Sequence, residues 1–204
     1  MNKSPYEHII IDNFLSETEF DAVLDVYKNE KFKELSTDLF SFLQSNEIED
    51  KLTNFVKKVE KIVNSEQKYF YTCFASFYRK NDFLLCHDDC VDSREYAFTF
   101  YLDDFSSGEL VLYENDCLTE SKVIEVKKNR IVIFKVSRES FHEVKKCKND
   151  GRKALTGWLN VEGKGFEERE IERNLSRSFS ELDLKLDLSN FNGKIKYFFN
   201  RRAC

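Results

Sequence analysis

Apolar and polar positions change rhythm twice along this chain. YEHIIIDNF at 6–14 runs apolar without a helical interval and reads as an opening strand. Ser16 and Glu19 then stand at capping-box spacing, where each side chain satisfies the other residue's backbone N–H. Phe20, Val23, Leu24 and Tyr27 follow at intervals of three and four, the stripe of one helix face. Helical spacing returns over about 48–64 with Leu52, Phe55, Val56, Val59, Ile62 and Val63. From residue 68 the pattern shortens to strand-like runs: 69–78, 83–87, 96–102, 109–114, 121–127, 130–136, 140–145 and 152–160. Ser106-Ser107-Gly108 and Lys128-Asn129 supply turns, and with one proline and six glycines in the chain periodicity must set the other boundaries. A helical layer followed by many short strands predicts an α+β, mainly β fold: a jelly-roll barrel buttressed by N-terminal helices. Strand propensity alone leaves a sandwich open as the alternative.

Composition adds scale. Of 204 residues 41% are hydrophobic and 20 are Phe, enough to pack one compact domain. We place that domain at 1–162. The charged stretch 163–181 is expected to be a solvated helix or linker, and 163–204 a C-terminal tail. The net charge of −5 gives no basic footprint, so direct nucleic-acid binding is not expected. No apolar run reaches the length of a membrane span and the first residues lack a signal-peptide layout, so a cytoplasmic or nuclear location away from membranes is expected. The six cysteines form no C-x-x-C pair and are expected to be reduced and structural. Cys86, His87 and Cys90 raise the question of zinc. On a strand, however, Cys86 and His87 point to opposite faces, and no second ligand pair follows.

Candidate chemistry concentrates in two of the three histidines. His87 and Asp89 close an apolar strand, FLLCHDD, with one residue between them. Strand alternation puts their side chains on one face, about 6–7 Å apart along the chain, with Asp88 turned away. His142 lies in a later strand-like segment, ESFHEV. Two neutral imidazoles and one carboxylate make a facial triad that leaves three positions open on Fe(II). An H-x-D pair arises easily by chance, so its weight comes from context. In RKALTGW at 152–158, alternation gives Arg152, Ala154, Thr156 and Trp158 one face. A guanidinium beside the metal suits a dicarboxylate, whose far end it can grip bidentately, while Thr156 can add a hydroxyl. Phe98, Phe100, Tyr101 and Phe134 offer an aromatic shell for such a pocket, though core packing accounts for the Phe residues equally well. His8 has no partner motif and is expected to be structural.

These residues sit in segments that resemble the Fe(II)- and 2-oxoglutarate-dependent prolyl hydroxylases, in particular the branch acting on a small-subunit ribosomal protein. The carrying segments are LLCHDD (84–89), AFTFYL (97–102), GELVLY (108–113), IVIFKVSRESFHEV (131–144) and RKALTGWL (152–159). STDLFSFLQSNEIE (36–49) also resembles that branch's helical layer. The resemblance implies a double-stranded β-helix, a cupin-like barrel. It implies His87, Asp89 and His142 as iron ligands and Arg152 as the partner of the distal carboxylate of 2-oxoglutarate. Tyr101 and Tyr78 match pocket tyrosines that face the same cosubstrate. The implied activity is peptidyl-proline hydroxylation with Fe(II), 2-oxoglutarate and O2, with ascorbate as an accessory reductant and a ribosomal small-subunit protein as substrate. Members of the branch carry a second, degenerate barrel. Here LDLSNFNGKIKYFF (186–199) resembles only the entry to it, so the tail is read as its remnant. Alternatives on the same scaffold are an oxidative nucleic-acid demethylase and a low-turnover binding or oxygen-sensing module. A zinc hydrolase ranks last, because no positioned general base is identifiable.

Overall fold

A computed structural model describes residues 2–63, 67–90, 93–114 and 118–161; the tail 163–204, with its expected helix or linker, lies outside the described residues. The elements in chain order are β1 (His8–Ile11), α1 (Glu17–Lys28), β2 (Lys33–Ser36), β3 (Phe40–Glu47), a 3-10 turn (Glu49–Leu52), α2 (Thr53–Val63), β4 (Phe70–Tyr78), β5 (Phe83–His87), β6 (Arg94–Tyr101), β7 (Phe105–Tyr113), β8 (Glu120–Val126), β9 (Ile131–Lys135), β10 (His142–Val144) and β11 (Arg152–Asn160).

Both expected helices form, and α1 begins at the expected capping box. Glu19 Oε2 accepts from the Ser16 backbone at 2.8 Å, and Ser16 Oγ accepts from the Glu19 backbone at 3.4 Å. Such a cap stabilises a helix start by about 1 kcal/mol. Phe20, Val23 and Tyr27 of α1 and Phe55, Val56, Val59 and Val63 of α2 bury against one face of the sheet, meeting Phe98, Phe100, Ile131, Ile133, Leu155 and Leu159.

All strand pairings are antiparallel, in the order β1-β9-β6-β11-β4-β3-β5-β10-β7-β8, with β2 added to β3. The two ends of this path approach each other: Lys122 Nζ of β8 lies 3.2 Å from His8 Nε2 of β1. Tyr6 likewise donates to the Phe141 carbonyl at 3.0 Å. The sheet therefore curls into a jelly roll, and the barrel replaces the sandwich alternative. His8 is fully buried and its Nδ1 meets the Tyr6 carbonyl at 2.8 Å, the structural role expected of it.

Three expectations change. Residues 36–49 are strand rather than helix over most of their length: β3 forms at Phe40–Glu47, where Phe40 and Phe42, two apart, share one face and join the cluster of Tyr78 and Leu84. Ser106-Ser107-Gly108 is not a turn between strands. Strand β7 runs through it with a register shift between Phe105 and Leu110, and Gly108 takes φ +68, which makes it a bulge. Phe98 and Phe100 belong to the helix-facing core, so of the aromatic shell only Tyr101 and Phe134 reach the barrel interior. Among the described residues no helix is long and apolar enough to cross a membrane.

Candidate functional site

The two histidines meet through strand register. His142 of β10 pairs directly with His87 of β5, which brings their ring centroids to 4.1 Å. Each Nδ1 lies 2.8 Å from a backbone carbonyl, of Leu85 for His87 and of Ser140 for His142. A carbonyl can only accept, so each Nδ1 carries the proton and each Nε2 presents a lone pair. Burial, and next the neighbouring His142, hold the His87 pKa below the ordinary histidine value, which favours the neutral form.

Asp89 joins them by a route that alternation does not describe. Strand β5 ends at His87, and Asp89 sits beyond it in the left-handed region at φ +57. Asp is among the few residues that tolerate this backbone, so the sharp turn after His87 swings its carboxylate back over the imidazoles. Its Oδ1 lies 3.4 Å from His87 Nε2, and its Oδ2 lies 3.5 Å from His142 Nε2. Ligand atoms of all three residues lie within 4.8 Å of one another, all buried. Two imidazole lone pairs facing a carboxylate are electron-rich atoms that only a proton or cation reconciles, and the donor set fits Fe(II). Asp88 turns away as expected; its Oδ1 accepts from the Cys90 backbone at 3.1 Å.

The second half of the pocket is cationic. Arg152 is 1% exposed, and among the described residues no carboxylate lies within ion-pair distance of it. Its Nε donates to the Gly108 carbonyl at 2.7 Å. The guanidinium carbon lies 4.6 Å from the Tyr78 ring centre and 5.3 Å from that of Tyr101. Register accounts for both tyrosines: Tyr78 is the cross-strand partner of Arg152, and Tyr101 that of Ala154. Among the described residues the buried Tyr101 hydroxyl has no partner at hydrogen-bond geometry, and burial raises its pKa, so it stays protonated as a donor beside the guanidinium. A buried cation is expensive unless paired. The cradle of Arg152, Tyr101 and Tyr78 therefore fits a carboxylate, as the matched segments imply. Thr156 is half-buried on the same strand, opposite Thr99 and Phe74.

Two neighbours of the Asp89 carboxylate escaped sequence reasoning. Trp158, placed by alternation on the Arg152 face, donates from Nε1 to Asp89 Oδ2 at 3.0 Å. Arg94 donates from Nη1 to Asp89 Oδ1 at 3.3 Å and lies over the Trp158 ring at 3.7 Å. Trp158 was legible as a member of the Arg152 face, whereas no local pattern marks Arg94. Cys86 points into a separate cluster with Val111, Tyr113 and Phe141 and is disulfide-bonded. Its sulfur is thus unavailable to zinc, and the expectation of reduced cysteines fails at this position. Cys73 and Cys147 are free thiols.

Residues 73–160 match the 2OG-Fe(II) oxygenase superfamily. This segment is similar to 2OG-Fe(II) oxygenase domains. The match begins on β4 and ends on β11, so it takes in the His-Asp-His cluster, both tyrosines and Arg152. Among curated relatives, prolyl 3-hydroxylase OGFOD1 of Xenopus laevis is 27% identical over 78% of this chain and 36% of its own length. Prolyl 3,4-dihydroxylase OGFOD1 of Ostreococcus tauri is 27% identical over 90% of this chain and 42% of its own. The chain thus spans well under half the length of these relatives. Two solved structures share this fold. A Pseudomonas putida prolyl-4-hydroxylase superposes with TM-score 0.64 at 19% identity, covering 77% of this chain and 94% of that one. A Trichoplax adhaerens prolyl hydroxylase, solved with a hypoxia inducible factor peptide fragment, gives 0.62 at 20%, covering 76% and 83%. The family uses Fe(II), 2-oxoglutarate and O2, in keeping with the donor set described.

Proposed function

We propose that this chain hydroxylates a prolyl residue of a protein, with Fe(II) and 2-oxoglutarate, and that a small-subunit ribosomal protein is its target. One observation carries the reading. A buried His-Asp-His cluster and a buried arginine that pairs with no carboxylate among the described residues lie on the inner face of one barrel, which is what a metal-chelating dicarboxylate requires at its two ends. The relatives named for prolyl 3-hydroxylation support proline as the oxidised residue and C3 as the position.

His87, Asp89 and His142 would hold the ferrous ion, which activates dioxygen while 2-oxoglutarate is decarboxylated to succinate and CO2. Arg152 receives the distal carboxylate, and the Tyr101 hydroxyl donates to it. Tyr78, stacked on Phe42 with ring centroids 5.2 Å apart, holds the guanidinium in place by its ring face. Phe134, 4.6 Å from the His142 ring, helps to keep water from the metal end. Orientation and exclusion of water are the protein's share of the chemistry.

The test is mass spectrometry of small-subunit ribosomal peptides incubated with the protein, Fe(II) and 2-oxoglutarate, with His87→Ala as control. The expected result is a gain of one oxygen on a proline, absent from the control. Cosubstrate turnover without oxidation of any proline would refute the substrate, and no 2-oxoglutarate consumption would refute the reaction.

A further inference from the structure

We infer that Arg94 and Trp158 are positioning residues that lock the Asp89 carboxylate in the orientation a divalent ion at this site needs. The assignment deepens the iron reading and rests on it.

His87 and His142 are fixed by paired strands and by backbone carbonyls that set their ring planes. Asp89 has neither restraint. It follows the end of β5 in a left-handed turn, so no strand neighbour sets its side-chain torsions. Two side chains from the facing strands supply that restraint instead. Trp158 sits on β11, with Thr72 of β4 and Ala97 of β6 as its cross-strand partners, and its ring packs against Phe74 at 5.7 Å. An indole offers one N–H in one direction, and here it ends on Asp89 Oδ2. Arg94 opens β6 and takes Oδ1. Its stacking on the indole ties the two donors together, so that neither moves without the other. Each carboxylate oxygen thus faces one donor and one imidazole, and the plane of the carboxylate follows.

Arg94 also places positive charge beside a cation site, which makes its effect on metal affinity diagnostic in sign. Acting through charge alone, Arg94 would weaken metal binding, and Arg94→Met would tighten it. As a positioning residue it strengthens binding, and Arg94→Met would loosen it. Partners of metal ligands typically change affinity by about 10–100-fold.

The experiment titrates the full chain with Mn(II) without oxygen. Fluorescence of Trp158, the one tryptophan of the chain, reports on Arg94→Met and Arg94→Lys, and calorimetry reports on Trp158→Phe. We expect Arg94→Met and Trp158→Phe each to weaken Mn(II) by about tenfold or more. Arg94→Lys, which keeps the charge and loses the fork and the stack, should fall between Arg94→Met and the parent. The double variant should lose less than the product of the two single losses, because the donors act as a unit. Melting of the metal-free protein should stay near the parent's. Mn(II) affinities within twofold of the parent, or tighter binding by Arg94→Met, would overturn the inference. If Arg94→Met does not fold, Trp158→Phe decides by the same criterion, since Phe keeps the ring and removes only the N–H. A parent chain that binds no Mn(II) would overturn the metal reading itself.

Discussion

Replacing Gly108 by alanine perturbs the cosubstrate end of the pocket without replacing a charged residue. Gly108 takes φ +68 in the β7 bulge, and an added Cβ would lie 2.6 Å from Cys147 Sγ and 2.7 Å from Arg152 Cδ. Carbon contacts are comfortable at about 3.5–4.0 Å, so Arg152 or Cys147 must retreat by roughly 1 Å. Arg152 cannot slide freely, because its Nε is held at 2.7 Å by the carbonyl of Gly108 itself. Left-handed backbone in alanine costs about 1–2 kcal/mol of stability. Loosening a hydrogen bond to a charged group costs about 1.5–3 kcal/mol, which corresponds to roughly 10–100-fold in affinity for the carboxylate that Arg152 grips. The assay is a 2-oxoglutarate titration of iron-loaded protein, beside a melting curve and an Mn(II) titration of the metal-free form. KM for 2-oxoglutarate should rise by that factor, with kcat and Mn(II) affinity nearly unchanged, since the His-Asp-His cluster lies at the other end. A KM within twofold of the parent, in a protein that is measurably destabilised, would refute Arg152 as the anchor.

Gly157→Ala should lower stability by about 2 kcal/mol and reduce the melting temperature, because a Cβ there would meet the Thr72 carbonyl oxygen at 2.3 Å and a Phe98 ring atom at 2.6 Å. An unchanged melting temperature would show that β4 and β11 can separate at no cost. Acid should destabilise the metal-free protein through His87. Its native pKa lies below the unfolded value of about 6.5, so the unfolded chain binds the extra proton and stability falls as pH drops from about 6.5 toward the native value, staying flat above. Stability that is constant from pH 7 down to 5 would contradict a buried neutral His87.

The strands that carry the site were legible because each is apolar and short, and β11 matches the expected 152–160 residue for residue. Two features of the site were not legible, for physical reasons. Alternation placed His87 and Asp89 on one strand face, yet Asp89 reaches the imidazoles through a left-handed turn that a period of two does not encode. Arg94 acts on Asp89 across a gap between strands, and a lone arginine at a strand start looks the same whether it faces water or a carboxylate. The reading of 36–49 as part of a helical layer rested on the resemblance, and its local pattern did not contradict it. Leu39, Phe40, Phe42 and Leu43 satisfy helical spacing locally, and only pairing with β2, β4 and β5 settles them as strand. The resemblance supplied roles for Arg152 and Tyr101 that spacing left open, and the register of β4, β6 and β11 then supplied the reason those side chains meet.

Strand β11 carries Arg152 at one end and Trp158 near the other, so the proposed carboxylate anchor and the donor to Asp89 lie on one rod, six residues and about 20 Å apart along the backbone. With β4 on one side and β6 on the other, that rod cannot slip. Inserting one residue between the two would turn Trp158 into the helix-packed core, and inserting two would carry it about 7 Å further along. The reach of the pocket is thus quantised. Substitutions at Ala154 and Thr156 alter the space between the two ends and leave the register of β11 intact, whereas an insertion or deletion within β11 would break it.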